Sequence, residues 1–273
     1  MSLPPGGGTT ADPWRVWIVG DSVINDGSPG ITAALQATGN AQVVLDTSFG
    51  GWGLTTAHQW PSDAEQAIAA NHPQIVIGTW AWDDGLAQQA PATYEQLLRS
   101  YLSVLLRPGD GVDLVVLVQF PTPGPSSTIL DPIQQHAQWA QTLAAQDAWD
   151  REAAQAVQAF PGQAVYLQTA SVFSPGGRFF AWMRDAAGQW IRARKVDNAH
   201  MCPYGAAEFG ALLVGELTPM LHLGPMAPGW DTGAWVDDPR YNDPPGACPD
   251  DQPPAGYNGV PVPAIPTAGT GSG

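Results

Sequence analysis

The sequence has little positive charge and no long apolar run. Its 273 residues include one lysine, Lys195, and nine arginines against 25 acidic residues, which gives a formal net charge of −15. Proteins that bind nucleic acid need a basic surface for the phosphates, so this balance excludes nucleic acid as a partner. No apolar stretch approaches the roughly 20 residues of a membrane-spanning helix. The composition therefore predicts an acidic globular protein without a transmembrane segment.

Cysteine is also scarce, with only Cys202 and Cys248 present. Two cysteines are too few for a disulfide scaffold but enough for one bridge, which would form in an oxidising compartment. The start of the chain has no basic segment followed by an apolar one, and therefore does not resemble a signal peptide. We expect the mature form of a secreted or cell-envelope protein. The alternative is a cytoplasmic protein with two unrelated thiols.

Apolar runs alternate with helical patterns along the chain. Near-continuous apolar runs are typical of strands buried on both faces, and strands that alternate with helices form parallel sheets. We therefore predict an α/β protein with a three-layer, flavodoxin-like α/β/α architecture and a five-stranded parallel sheet. The predicted strands are 16–19, 42–49, 74–79, 112–120 and 164–169, and the predicted helices are 31–37, 56–70, 93–106, 133–160 and 203–220.

Composition divides the chain into three parts. Residues 1–13 are small and polar and are predicted to be flexible, whereas residues 14–222 form the predicted domain. Residues 223–273 are rich in proline, glycine and aspartate and have no periodic pattern; we call them the C-terminal extension. A bridge from Cys248 to Cys202 would hold this extension against the domain up to about Pro249. Its glycine- and threonine-rich end is predicted to be mobile.

A serine follows the first predicted strand, in the run Gly20-Asp21-Ser22. Open α/β sheets place their functional residues just beyond the carboxyl ends of strands. A serine nucleophile also needs a general base and a third group that orients the base. Among the five histidines, His200 has the most suitable context, because Asp197 precedes it by three residues on a loop before a helix. The pattern predicts a triad of Ser22, His200 and Asp197.

Together, Gly20-Asp21-Ser22 and Asp197-x-x-His200 resemble the SGNH (GDSL) hydrolase family over roughly residues 14–221. Members of that family are α/β/α esterases, lipases, thioesterases and carbohydrate deacetylases. The resemblance implies that Ser22 is the nucleophile, His200 the base and Asp197 the partner of the base. The run from His200 to Ala206 is similar to SGNH domains attached to membrane O-acyltransferases, which implies acylated sugars or cell-envelope glycans as substrates.

The resemblance also implies which groups hold the oxyanion of an acyl intermediate. A glycine after the second strand falls on Gly50, with Gly51 as a rival, and glycine lets a backbone N–H approach an oxyanion closely. The Ser22 N–H, at the start of a helix, would be a second donor. The family's asparagine is missing, and Trp82 stands at its position with an indole N–H. The alternatives are a hole with two donors and a Gly50-Gly51 pair that only turns the chain.

Tryptophans and acids complete the predicted site. Trp52 and Trp80 follow the second and third strands, where their rings could stack on a sugar, although packing against the core explains them equally well. Asp21 and Asp83 are predicted to contact the substrate from the neighbouring loops. No acid in these loops has a histidine or second acid at metal-ligand spacing, so neither a metal nor another cofactor is expected.

These features predict a serine esterase that removes an O-acyl group, acetyl in the simplest case, from a carbohydrate or small ester. The same triad could pass the acyl group to a sugar hydroxyl, which would make the protein an O-acyltransferase. The missing asparagine also allows a glycan-binding module on a catalytically weakened fold. The sequence does not predict an oligomeric state.

Overall fold

The computed structural model describes residues 8–55, 60–109 and 112–264. Five strands form one parallel sheet, in the spatial order second, first, third, fourth and fifth along the chain. Helices cover both faces of this sheet, which confirms the predicted α/β/α architecture. The strands are β1 (Trp14–Gly20), β2 (Ala41–Asp46), β3 (Ile75–Thr79), β4 (Leu114–Val118) and β5 (Ala164–Leu167).

Seven helices and two small antiparallel pairs of strands surround the sheet in the described part of the chain. The helices are α1 (Ser22–Ala37), α2 (Trp60–Asn71), α3 (Asp84–Gln89), α4 (Pro91–Leu105), α5 (Pro132–Val157), α6 (Ala170–Phe173) and α7 (Pro203–Leu221). The small pairs join β6 (Arg178–Phe179) to β9 (Val260–Pro261) and β7 (Trp182–Arg184) to β8 (Trp190–Arg192). No described helix is long and apolar enough to cross a membrane.

The apolar strand residues divide between two cores, one on each face of the sheet. Alternate side chains of β1 point to opposite faces, so that Val16 and Ile18 pack with α1 and α7. Trp17 and Val19 pack instead with α2, α4 and α5. Because both faces are covered, β3 and β4 are buried at every position. Polar side chains are therefore expected at the edge of the sheet where the strands end.

The first helix begins nine residues earlier than predicted. The sequence pattern predicts a turn at Gly27-Ser28-Pro29-Gly30, but these residues lie inside α1. Both glycines serve close packing against α7: a Cβ on Gly30 would lie 2.3 Å from the Ala206 carbonyl oxygen, and one on Gly27 would lie 2.8 Å from the Phe209 ring. The turn-like composition therefore reflects contact between two helices.

Replacing Gly30 with alanine is expected to lower the free energy of unfolding by about 1–3 kcal/mol, because the added methyl group overlaps backbone of α7. A urea titration measures this change. Gly215→Ala is the matched control, since a Cβ there meets no atom within 4 Å and alanine favours helix. Equal stability of the two variants would contradict the close packing of α1 on α7.

Other boundaries differ from the prediction by smaller amounts. The second strand ends at Asp46 rather than at residue 49, and the fourth covers only Leu114–Val118. The short helix α3 was not predicted, because its six residues are too few for an apolar period to be visible. The first residues of the helix predicted at 56–70 lie outside the described residues, and α2 begins at Trp60.

The C-terminal extension packs over α1 and the end of the sheet through its described residues. It contains three single turns of 3₁₀ helix, at Trp230–Thr232, Ala234–Asp237 and Pro239–Asn242, and it ends at β9 beside β6. A disulfide joins Cys248 of the extension to Cys202 at the start of α7, with the Cα atoms 5.6 Å apart. The end predicted to be mobile, after Pro266, lies outside the described residues.

At the other end of the chain, residues 1–7 of the segment predicted to be flexible are also outside the described residues. Residues 8–13 form a turn in which the Gly8 N–H donates to the Asp12 carbonyl at 2.9 Å. The Gly8 carbonyl accepts a hydrogen bond from the Asn40 side chain at 2.9 Å. The turn is thus attached to the loop before β2.

Candidate active site

Ser22 is the first residue of α1 and follows β1 by two residues. The turn between them requires glycine at position 20, where φ is +138° and a Cβ would lie 2.0 Å from the Thr79 carbonyl oxygen. Asp21 caps the helix, since its carboxylate accepts from the N–H groups of Val23 at 3.0 Å and Ile24 at 3.4 Å. Ser22 is thereby fixed at the carboxyl edge of the sheet.

His200 and Asp197 reach Ser22 from the loop before α7. Ser22 Oγ lies 2.8 Å from His200 Nε2, and His200 Nδ1 lies 2.7 Å from Asp197 Oδ2. Because the ionised carboxylate only accepts hydrogen bonds, the Nδ1 proton faces Asp197 and leaves the Nε2 lone pair for the serine hydroxyl. The arrangement can remove the Ser22 proton as the oxygen attacks an electrophile.

Asp197 also shapes the loop that carries the histidine. Its second carboxylate oxygen accepts from the N–H groups of Ala199 at 2.9 Å and His200 at 3.0 Å. Asn198, with φ of +65°, turns the chain, and its side chain donates to the Pro125 carbonyl at 2.8 Å. The buried Arg194 donates to the Ala199 carbonyl at 2.8 Å. The loop is therefore held from three sides.

The pKa values of the triad follow from these contacts. Burial raises the pKa of Asp197, but the hydrogen bond and charge of His200 and the two loop N–H groups outweigh it, and the pKa ends below its usual range. Burial lowers the pKa of His200, and the hydrogen bond and charge of Asp197 outweigh that effect, which leaves the pKa above its ordinary value. Burial raises the pKa of Asp21 to about 7, although the hydrogen bonds from the N–H groups of Val23 and Ile24 lower it.

The structure places Gly50, rather than Gly51, beside Ser22. Beyond the end of β2, hydrogen bonds of 2.9 Å from Thr47 N to Ile18 O and from Phe49 N to Gly20 O keep the chain alongside β1. A Cβ on Gly50 would meet Ser22 Cβ at 3.8 Å, whereas one on Gly51 would meet no atom within 4 Å. Of the two glycines, Gly50 is therefore the one that contacts Ser22 in this way.

A cavity of about 350 Å³ opens beside Ser22 and His200. Trp82, whose side chain is 59% exposed, lines this cavity together with five residues that were not predicted to belong to the site. Phe120 could have been predicted from its place just after β4. Gln146 and Asp84 lie on helices, where no local sequence pattern marks them as site residues. The lining consists of Asp21, Ser22, Val23, Trp82, Asp84, Phe120, Gln146, Ala199 and His200.

Trp80, predicted at the substrate, is fully buried on the other side of the strand end. Its ring lies over Gly78, where a Cβ would be 2.8 Å from the indole, and meets Tyr101 edge-on with the centroids 5.1 Å apart. It belongs to the core shared with α4 and α5. The prediction that Trp80 contacts a substrate is therefore wrong in this arrangement.

Asp83 also turns inward. Its carboxylate accepts from the N–H groups of Leu54 and Thr55 and from the hydroxyl of Tyr94, and its side chain is buried. Asp83 therefore holds the loop after β2 instead of contacting a substrate as predicted. Trp52 is 39% exposed and packs against Phe49 with ring centroids 5.4 Å apart. It lies outside the cavity lining.

The acids and histidines of the described residues do not form a metal site. Within residues 8–55, 60–109 and 112–264, no group of three or more histidine, cysteine or acidic side chains lies close enough together to hold an ion. Asp26, one of the acids near the site, pairs instead with Lys195 at 2.8 Å.

Comparison with known proteins adds fold-level likenesses. No family profile and no curated protein matches the sequence. A variant of the acetylxylan esterase Axe2 from Geobacillus stearothermophilus is 17% identical, with a TM-score of 0.49 over 78% of this chain and 95% of that one. The gut microbial diltiazem-metabolizing enzyme BT4096 is 8% identical, with a TM-score of 0.48 over 78% of this chain; the chain spans 48% of its length.

The salicylyl-acyltransferase SsfX3 from a tetracycline biosynthetic pathway is 14% identical, with a TM-score of 0.45 over 75% of this chain and 54% of that one. These identities and TM-scores are too low to assign a function to this chain.

Proposed function

We propose that the protein is a serine esterase of the SGNH type that removes an O-acyl group from a carbohydrate or another small ester. The observation that carries this proposal is the continuous relay from Asp197 through His200 to Ser22, with hydrogen bonds of 2.7 and 2.8 Å. A serine and a histidine in contact at the end of a parallel strand, beside an open cavity, form the arrangement that acyl transfer requires.

The reaction proceeds in two displacements. Ser22 Oγ attacks the acyl carbon while His200 Nε2 takes the hydroxyl proton, and the carbonyl oxygen becomes an oxyanion facing the Gly50 and Ser22 N–H groups. When the tetrahedral intermediate collapses, the alcohol leaves with the proton from Nε2. Water then attacks the acyl-enzyme, again giving a proton to His200, and the carboxylic acid is released as Ser22 Oγ is reprotonated.

The cavity favours a small, uncharged substrate. Its volume of about 350 Å³ lies at the lower end of the range for small-molecule sites, which suits a short acyl group such as acetyl. Of the described residues that line it, two are aspartates and none is lysine or arginine. The exposed Trp82 ring at the mouth offers a flat apolar surface to a sugar. An alcohol without negative charge fits this lining best.

A fluorophosphonate probe tests the proposal, because it bonds covalently only to an activated hydroxyl. We expect peptide mass spectrometry to find the label on Ser22, and to find no label when the labelling reaction itself is run at a pH low enough to protonate His200. Hydrolysis of 4-nitrophenyl acetate by the same preparation would accompany the labelling. Absence of both labelling and hydrolysis, together with tight binding of a glycan, would instead support a binding module.

A further inference from the structure

The helix that carries Ser22 contains a proline, and its effect is compensated from the far end of the chain. Pro29 has no N–H, so the carbonyl of Asn25, four residues earlier, lacks its helical donor. Arg240 of the C-terminal extension supplies one, since its Nη1 donates to the Asn25 carbonyl at 3.0 Å and to Ser28 Oγ at 2.7 Å. The Ser28 hydroxyl also donates to this carbonyl, at 3.1 Å, so the extension adds a second donor to α1 one turn after the candidate nucleophile.

Arg240 is itself fixed in position. Asp238 receives two parallel hydrogen bonds from its guanidinium, from Nε to Oδ1 and from Nη2 to Oδ2, both at 2.9 Å. Asp46, at the end of β2, adds a third acidic contact at 3.4 Å. A bidentate pair of this kind sets the plane of the guanidinium. Arg240 therefore meets α1 in one defined geometry.

Lys195 makes a second connection to the same helix. Its Nζ lies 2.8 Å from Asp26 Oδ2 on α1, and it donates to the carbonyls of Arg240 at 2.7 Å and Asp243 at 2.9 Å. The ammonium is thus surrounded by three oxygen atoms. The side chains of Lys195 and Asp26 are almost fully buried, with 5% and 7% of their surface exposed. Removing one partner would leave a buried charge without compensation.

The backbone joins this connection to the base. The Lys195 N–H donates to the His200 carbonyl at 2.8 Å, and the next N–H, from Val196, donates to Ala247 in the extension at 2.9 Å. Lys195 therefore contacts the helix of Ser22 with its side chain and the loop of His200 with its main chain. Arg240 contacts the same helix and accepts the Lys195 ammonium through its carbonyl.

We propose that Lys195 and Arg240 are positioning residues that hold Ser22 Oγ at hydrogen-bonding distance from His200 Nε2, so that the C-terminal extension is part of the catalytic arrangement. This inference rests on the proposed esterase function. Neither residue lines the cavity, and both act through α1 and the loop that carries His200.

The ion pair also acts on the base electrostatically. Burial lowers the pKa of His200, Asp197 raises it most, and the more distant Asp26 and Lys195 raise and lower it respectively. Asp21, at the start of α1, also interacts with the charge of His200. Loss of Lys195 alone would leave the negative charge of Asp26 without an opposing charge and would raise the pKa of His200. Loss of the Asp26 charge alone would lower the pKa of His200.

Three variants separate positioning from general stability. In Arg240→Gln we expect kcat for 4-nitrophenyl acetate to fall about 10- to 100-fold with KM changed less than threefold, because a displacement of about 1 Å can cost 100-fold in rate. Arg178→Gln is the matched control: Arg178 also fastens the extension, by a 2.7 Å bond from Nη2 to the Gly259 carbonyl, but it touches neither α1 nor the His200 loop. Equal rates in these two variants would overturn the role of Arg240.

The other two variants test Lys195 by the direction in which the pH dependence of kcat/KM moves. Lys195→Met should move the acid limb of kcat/KM to higher pH, and Asp26→Asn should move it to lower pH, which a purely structural loss would not do. Shifts in the same direction, or none, would overturn the role of Lys195. If Lys195→Met does not fold, Asp26→Asn against the wild type carries the same test. An inactive, unlabelled wild-type protein would refute the esterase function instead.

Discussion

Ser22→Ala is expected to lower kcat for 4-nitrophenyl acetate by roughly 10⁴- to 10⁶-fold, the range typical when the nucleophile of a serine hydrolase is removed. The physical reason is that no other hydroxyl is hydrogen-bonded to His200 in the described residues. The Gly50 and Ser22 backbone N–H groups remain in this variant, so a small residual rate from oxyanion stabilisation is expected. Steady-state kinetics with a purified, folded variant measures the effect.

The substitution should leave the fold intact. Ser22 is the first residue of α1, the helix cap is the side chain of Asp21, and alanine is a good helix former at this position. A melting temperature within a few degrees of the wild type would confirm this. Ser100→Ala, on the exposed face of α4, is the control, since its hydroxyl bonds only to the Gln96 carbonyl. A Ser22→Ala rate close to that of the control would refute the serine mechanism.

Asp197→Asn is expected to lower kcat by about 10⁴-fold. An asparagine oxygen can still accept from the N–H groups of Ala199 and His200, which keeps the loop in place. Its amide N–H₂, however, would face His200 Nδ1, and a donor there favours the tautomer with the proton on Nε2. That tautomer offers no lone pair to the Ser22 hydroxyl, so proton removal fails although the distances are preserved.

The pH dependence of the same variant gives an independent result. In the wild type the base must be neutral, so kcat/KM falls as the pH drops through the pKa of His200, which Asp197 holds above its ordinary value. Without that carboxylate the lowering by burial prevails, and the acid limb should move to lower pH. Asp131→Asn is the control, because Asp131 also accepts two consecutive N–H groups but meets no histidine. An unchanged acid limb in Asp197→Asn would contradict the assigned role.

The sheet and the triad positions could be predicted because each rests on a local pattern with a physical cause. Apolar runs between helical segments indicate buried parallel strands, and an acid three residues before a histidine can fold back onto the ring. The position of Gly50 also follows from simple counting beyond the second strand. These features depend on neighbours within a few residues, or on the rule that parallel strands end at one edge of the sheet.

Other features depend on partners far away in the sequence. Gly-Ser-Pro-Gly has the composition of a turn, yet it lies inside α1. Its contacts there include α7 and Arg240, which is 215 residues after Asn25 in the sequence. Trp80 and Asp83 lie next to the predicted edge of the sheet, yet both side chains point into the protein. The Trp80 ring fills the space over Gly78, and the Asp83 carboxylate accepts from the Leu54 N–H. The cysteines predicted that the extension is held against the domain, but its contacts with α1 could not be predicted, since they join residues far apart in the sequence.

The burial of Lys195 has a practical consequence for covalent chemistry. It is the sole lysine of the sequence, and its ammonium is enclosed by three oxygen acceptors. Reagents that acylate or biotinylate lysine need a deprotonated and accessible amine. Modification at position 195 should therefore proceed only as fast as residues 238–248 lift away from α1. A lysine-directed reagent and a mass spectrometer can thus count these opening events at one residue, as hydrogen exchange does for a backbone amide.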